Sequence, residues 1–448
     1  MTQRLVAVVK MVYDKVHNPK YKEMWKMRKE DFSRNRKMNF VQTIAFIITG
    51  IPRSLQAGLI AFMEEYTKEM QSYSKQAFSK GRLRLNPGAI KELFDLTAEN
   101  FYKLGKYDTL KGYRVLAVDG TKYNLPNSAE LAEVYGTQIT GGAPQVQAMG
   151  SCLYDVLNGI LMDAQIHPLK TSERDIAVSH MNRLTEMNPQ KELLLFDRGY
   201  PSGELIRELE SRGLYYLMRC SREFCRGMKP TSYACNLTHT FTKNGYTAAF
   251  RYIRLVLPTL NEKTTEEILL TNLPEKDFPV SEMTELYHLR WGIENKYDEV
   301  KNILEIENFS GHSDIVIQQD FYASMFLSNL AGIAAYDNRE EIEMVHNTAE
   351  NKYRYKQNIN VTVSVLRDHV TEMLLVDSDR KRAKIFRRIL RTLIPSVVPV
   401  VSGRSFPRYV MHKRIRSLVG LLDVLIVEHG VCTHLQPFCH LLLEVETH

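Results

Sequence analysis

The chain has 448 residues, 44% hydrophobic, 25% charged and 10% aromatic, with a formal net charge of +7. This composition is ordinary for a soluble globular protein, and the length allows about two to four domains with a sizeable core. It argues against a membrane protein, because the apolar run 40–51 is too short to span and Pro52 stops it, and against a secreted disulfide scaffold, because charges come too early for a signal peptide and six cysteines are few for the length. A reduced, cytoplasmic protein is expected.

Residues 1–105 read as a helical domain. Their first forty hold eleven Lys or Arg against four acids. Residues 40–60 are apolar at helical spacing, broken near Gly50 and Pro52. A basic helix with Lys75, Lys80, Arg82 and Arg84 then precedes a helix over 88–104. That order suits a helix-turn-helix whose four cations face DNA; an ordinary exposed helix is the alternative.

From Tyr113 the texture changes to α/β, with strands predicted at 113–118, 146–153 and 160–166. A helix over 172–184, a strand over 193–196, a helix over 203–212 and a strand over 214–218 follow. Three strands, a helix, a strand, a helix and a strand is the order of an RNase H-like core; periodicity alone supports α/β. Residues 220–280 read as a β-rich insertion. Asn244-Gly245 between alternating runs is a hairpin signal, and 253–257 and 267–270 are two further strands. Ser281 is a candidate N-cap for one long helix to about 305, and 320–336 is another helix, strongly apolar. The core is thus expected at 106–345. Residues 346–448 are read as a helical, basic C-terminal region broken at Pro395 and Pro399. From Arg380 to Arg416 there are twelve Lys or Arg and no acid, so two basic zones flank the middle, as in a chain that grips a polyanion.

Three acids carry the chemistry. Asp119 ends the strand before Gly120 and Thr121, and Asp197 ends another before Arg198, Gly199 and Tyr200. Glu294 shares a helix with Tyr287, Arg290 and Lys301 at i, i+3, i+7 and i+14, one face at 3.6 residues per turn. Converging carboxylates repel and need a cation, and hard oxygen ligands suit Mg²⁺ or Mn²⁺. Two such ions clamp an in-line displacement at phosphorus. The alternative for the helix is an ion-pair face, with Glu294 bonded to Arg290 or Lys301.

Tyr287, Arg290, Glu294 and Lys301 spell Y-x2-R-x3-E-x6-K without departure. With Asp119 in Val-Asp-Gly-Thr and Asp197 in Phe-Asp-Arg-Gly-Tyr, the chain resembles the DDE transposases of bacterial insertion sequences, in the insertion-sequence-four group. Trp291, the stretch 76–82 and the run 308–311 also fit, and the similarity covers about 40–380. The resemblance implies an RNase H-like core with a β insertion, and Mg²⁺-dependent nicking at element ends followed by attack of the freed 3′-OH. A hairpin intermediate is implied as well, held with help from the insertion. Some relatives clamp a flipped base with a tryptophan there. Here only Trp25 and Trp291 occur, so Tyr246, Phe250 or Tyr252 would have to stack instead. Asp119 would bridge two ions, with Asp197 on one and Glu294 on the other; Arg290 and Lys301 would hold phosphates and Tyr287 would donate to one.

The expected partners are double-stranded DNA, as inverted-repeat ends and target, and a second copy in a synaptic homodimer. The expected place is the bacterial nucleoid. A metal-dependent nuclease of the same fold without strand transfer is the alternative enzyme, and a non-catalytic DNA-binding protein the alternative outside catalysis. His429, Cys432, His434, Cys439 and His440 match no standard zinc spacing, and Cys220, Cys225 and Cys235 are scattered, so buried free thiols are expected.

Overall fold

The computed structural model describes residues 4–401, apart from 35–36, 51–53, 67–72, 188–190, 244, 259–263 and 349–350. The histidine and cysteine cluster at 429–440 and the basic residues 404–416 lie outside the described residues.

Six helices come first: α1 (Arg4–Val16), α2 (Pro19–Trp25), α3 (Phe40–Thr49), α4 (Leu55–Tyr66), α5 (Lys75–Arg82) and α6 (Gly88–Lys103). Their ends follow local chemistry. Asn39 and Gln42 form a reciprocal capping box at α3, and α3 stops where Gly50 takes φ 71°. Ser74 caps α5 by accepting from the Ala77 N–H.

The apolar run 115–118 lies inside β1 (Arg114–Asn124), buried on both faces as a central strand must be. The strand does not end at Asp119. Beyond Val118 it keeps pairing with a later strand as far as Asn124↔Gln147, so Asp119 sits mid-strand. Then come α7 (Ala129–Tyr135), β2 (Thr137–Thr140), β3 (Ala143–Asp155), β4 (Ile160–Pro168), α8 (Glu173–Glu186), β5 (Glu192–Phe196), α9 (Gly203–Ser211) and β6 (Tyr215–Cys220). β1, β3 and β4 pair antiparallel, while β5 lies parallel to β1 and β6 parallel to β5. The order β4-β3-β1-β5-β6, with a helix after β4 and another after β5, is the RNase H-like arrangement.

The insertion is not a separate layer. Its strands β7 (Ala234–Thr240), β8 (Thr247–Pro258) and β9 (Thr264–Thr271) extend the same sheet, because β9 pairs with β6 and the order continues β6-β9-β8-β7. The β7–β8 connection spans 241–246, longer than a two-residue Asn-Gly turn, and is closed by Phe241 N–H on Tyr246 O. Segment 253–257 is the second half of β8 rather than a strand of its own.

The helix expected from 281 to 305 is broken into α10 (Met283–His288), a 3₁₀ turn Leu289–Trp291, α11 (Gly292–Asp298) and a π-turn Glu299–Ile303. After it, α12 (Asp314–His346) runs 33 residues, well beyond the apolar stretch that predicted it, with its middle buried. β10 (Arg354–Gln357), α13 (Ile359–Leu375), α14 (Asp379–Leu393) and β11 (Val397–Val400) complete the described chain. The β10–β11 pair was not legible as strand in a helical, basic stretch.

One hydrophobic cluster runs from Leu5 on α1 through α3, α6, β1, α12 and α13 to Leu393 on α14. The described helices before residue 105 and those at 359–393 therefore share a core with the segment between them. Among the described residues no helix is long and apolar enough to cross a membrane.

Candidate active site

The register of β1 and β5 builds the site. Val118 pairs with Phe196 in the parallel ladder, so the next residues, Asp119 and Asp197, emerge side by side. The broken segment after the insertion delivers the rest. Tyr287 Oη donates to Asp197 Oδ1 at 3.3 Å. Arg290 Nη2 donates to Glu294 Oε1 at 2.9 Å, and Nη1 lies 3.8 Å from Asp119 Oδ2. Arg290 thus bridges the first and third acids, and its guanidinium also lies over the Tyr287 ring. Tyr297 Oη donates to the Asp119 carbonyl at 2.6 Å.

Gly292 passes close to β3 and the turn after it: a Cβ there would come within 3.4 Å of Val156 and 3.6 Å of Tyr154. These are ordinary van der Waals distances, so the segment lies directly against the sheet there, and the 3₁₀ turn before it carries Arg290. Farther on, the π-turn sets Lys301 over the end of β1, where its Nζ donates to Thr121 Oγ1 at 2.5 Å and to the Lys122 carbonyl at 2.9 Å. Tyr287, Arg290 and Lys301 therefore all reach the side of the sheet that bears the acids, although no single straight helix carries them.

Burial pushes the Asp119 carboxyl up to about 6; its own Gly120 N–H and Arg290 oppose this, while the Glu173 and Asp197 carboxylates add to it. A buried network lies behind it. Ser151 Oγ donates to the Asp119 carbonyl at 3.0 Å and meets His180 Nε2 at 3.0 Å, and His180 Nδ1 lies 2.8 Å from Asp163 Oδ2. The Asp119 carbonyl is thus held from two sides, by Tyr297 and by Ser151.

Residues 110–330 match the family model of the transposase DDE domain. Residues 110–330 are thus a transposase DDE domain. The transposase InsG of insertion sequence element IS4 from Escherichia coli K12 is 23% identical over 350 residues, covering 75% of this chain and 76% of InsG. The transposase of insertion sequence element IS231B from Bacillus thuringiensis subsp. berliner is 21% identical over 364 residues, 69% of this chain and 72% of the relative. Among solved structures, a piggyBac transposase synaptic complex with hairpin DNA aligns with 97% of this chain and 88% of its own at 11% identity and a TM-score of 0.44.

DDE transposases work with divalent metal ions. The donor set here fits hard cations: Asp119 and Asp197, each following a residue of the paired Val118–Phe196 rung, offer carboxylate oxygens. The Tyr200 hydroxyl is fully buried in the field of Asp119 and Asp197 and has no hydrogen-bond partner in the protein. As the side chains stand, no three His, Cys, Asp or Glu among the described residues form a coordinating group. Glu294 bonds to Arg290, the ion-pair alternative read from the sequence.

The cations expected to face DNA divide. Lys75 and Lys80 are exposed on α5. Arg82 is not: it is 2% exposed, donating to Gln319 Oε1 at 2.8 Å, Ser310 Oγ at 2.5 Å and Asp320 Oδ1 at 2.7 Å. Its place on the apolar stripe with Phe78 turns it inward, so it ties stretch 76–82 to run 308–311 and cannot contact DNA. Arg84 is half-buried and lies 3.5 Å from Asp31. The insertion aromatics are also core: Phe250 and Tyr252 are buried, and Tyr246 Oη bonds Glu210. The surface aromatic there is Tyr233, under the Arg254 guanidinium. Sequence reasoning missed Glu173, Tyr200 and Tyr297. Tyr200 stands in the Asp-Arg-Gly-Tyr run that follows β5; Tyr297 and Glu173 have no distinguishing local signal.

Proposed function

We propose that the protein cleaves the ends of its own insertion sequence and joins the freed 3′-OH to target DNA, in a cut-and-paste reaction through a hairpin intermediate. The carrying observation is the β1–β5 register, which sets Asp119 and Asp197 side by side beneath Arg290 and Glu294. Asp119, Asp197 and Glu294 would hold two Mg²⁺ ions, or Mn²⁺ in their place. When bound, such ions lower the pKa of the attacking water or 3′-OH and offset the charge that develops at phosphorus.

The remaining work is positioning, as is usual in phosphoryl transfer. Tyr287 orients Asp197, while Tyr297 and Ser151 fix the backbone of Asp119. Arg290 supplies a cation beside the acids and would hold a phosphate there. Lys301 steadies the end of β1 and would hold a second phosphate. Lys75 and Lys80 on α5, with the basic face of α14, would grip the inverted repeats and target. Two copies would meet on paired ends, in the bacterial cytoplasm at the nucleoid.

The test uses supercoiled DNA carrying the flanking repeats, with Mg²⁺ present. Asp119→Asn, Asp197→Asn and Glu294→Gln should each abolish cleavage, a loss of at least about a thousandfold, while end binding is largely kept. Cleavage near the unmutated rate in any of the three removes that residue from the site. Cleavage without any joined product would leave a nuclease of the same fold.

A further inference from the structure

Glu173 stands at the first position of α8, and its carboxylate turns over the strands that carry the first two acids. A Cβ built on Gly120 would overlap Glu173 Oε1, so only glycine after Asp119 leaves room for it. Its other oxygen reaches toward the loop after β5, where a Cβ on Gly199 would lie 3.9 Å from Oε2. Glu173 thus straddles the positions just after Asp119 and just before Tyr200.

The second observation is Tyr200 itself. Tyr200 is 1% exposed, its hydroxyl has no hydrogen-bond partner in the protein, and the carboxylates of Glu173, Asp119 and Asp197 all act on it. A buried hydroxyl left unpaired beside three carboxylates is costly unless a ligand brings oxygens to it. A helix N-terminus favours an acid, but Asp175 already meets that need in the same turn and is exposed to solvent. Nothing about a helix end requires Glu173 to lie against Gly120.

We propose that Glu173 is a fourth carboxylate of the active site, binding divalent cation together with Asp119. This rests on reading the site as a divalent-cation site. Asp119 then shares an ion with a ligand from α8, an element that precedes the insertion and Glu294 in the chain. Three of the four carboxylates then lie within residues 119–197, ahead of the insertion.

The test is titration of the full chain with MnCl₂ alone, read by calorimetry and by electron paramagnetic resonance of free Mn²⁺, so that no DNA or turnover is needed. Glu173→Gln should weaken Mn²⁺ binding about tenfold or more, and Asp175→Asn, which removes the same charge from the same helix end, should stay within about twofold. Gly120→Ala keeps all four carboxylates but places a Cβ where the Glu173 oxygen sits, so it should weaken binding as Glu173→Gln does; it serves if that variant folds poorly. Asp119→Asn separates the two readings. If it loses binding while Glu173→Gln and Gly120→Ala titrate like the unmutated chain, Glu173 is not a ligand and the active-site reading stands. If the unmutated chain and Asp119→Asn both fail to bind, the cation site falls and this proposal with it. Equal weakening by Glu173→Gln and Asp175→Asn would make the effect one of helix charge at a distance and also overturn it.

Discussion

Helices α5 (Lys75–Arg82) and α14 (Asp379–Leu393) both carry several cations, and they use them in different ways. On α5, Phe78 and Arg82 are four residues apart on the stripe that packs inward, so Arg82 is buried on Asp320, Gln319 and Ser310. On α14, Ile385, Phe386, Ile389 and Leu393 fill the inward stripe. Arg380, Lys381, Lys384, Arg387, Arg388 and Arg391 are left on the solvent side, and Arg388 pairs with Glu372. Even there Arg382, three residues before Ile385, turns inward to the Met373 and Val376 carbonyls and the Tyr13 ring. Position relative to the apolar stripe, and not the density of cations, decides which arginine is left in solvent and which holds the fold.

The sharpest way to break this contrast is Arg82→Ala. It strips a buried partner from Asp320 and should lower unfolding stability by about 3–5 kcal/mol in denaturant titration. The salt dependence of DNA binding by the folded fraction should not change. A flattened salt slope with unchanged stability would put Arg82 back on the DNA.

Carboxylates obey the same rule, which sets the next effect. Burial pushes Asp155 up to about 6, against its bonds from Tyr102 and Asn158; Asp379 is exposed, and its bond to Arg382 pulls its carboxyl below the usual range. A raised carboxyl binds its proton more tightly in the folded state, so this group's burden on stability is present above pH 6 and is relieved as pH falls from about 6 toward 4. Across that window the unmutated chain should gain up to about 3 kcal/mol relative to Asp155→Asn. Parallel stability curves for the two would refute the shift.

A triple change on α14, Lys384→Ala with Arg387→Ala and Arg391→Ala, tests the exposed side. For every phosphate these three cations neutralise, the log–log salt slope of DNA binding should flatten by about 0.9. Unfolding stability should move by no more than about 0.5 kcal/mol per residue. An unaltered slope would leave α14 a merely solvated face.

Lys301→Ala is the smallest and most diagnostic. Its ammonium is bonded to Thr121 and the Lys122 carbonyl, so its removal should cost about 1–2 kcal/mol. A lysine that also holds a phosphate adds a slope change of about one unit. A slope change without any loss of stability would show that the ammonium leaves β1 for DNA.

Much was legible in the chain because local signals act over a few residues. Apolar runs of four to five predicted the central strands. The spacing of Tyr287, Arg290, Glu294 and Lys301, and an acid after each of two such runs, marked the site. The order of strands and helices was enough for the α/β core. Gly50 ended a helix much as its residue type suggests.

What tertiary structure alone decided depends on partners far away in the chain. Arg82 finds Asp320 across 238 residues, and Lys301 finds Thr121 across 180. The register that sets Asp119 beside Asp197 exists only once β1 and β5 pair in parallel. The insertion joined the main sheet because the edge of β6 offered unpaired backbone groups, which no local pattern records. Glu173 shows the limit most clearly. In sequence it is one of two acids opening a helix, indistinguishable from Asp175. Only the packing of α8 against β1, with a glycine at 120 to admit it, turns one of them toward the site and leaves the other in solvent.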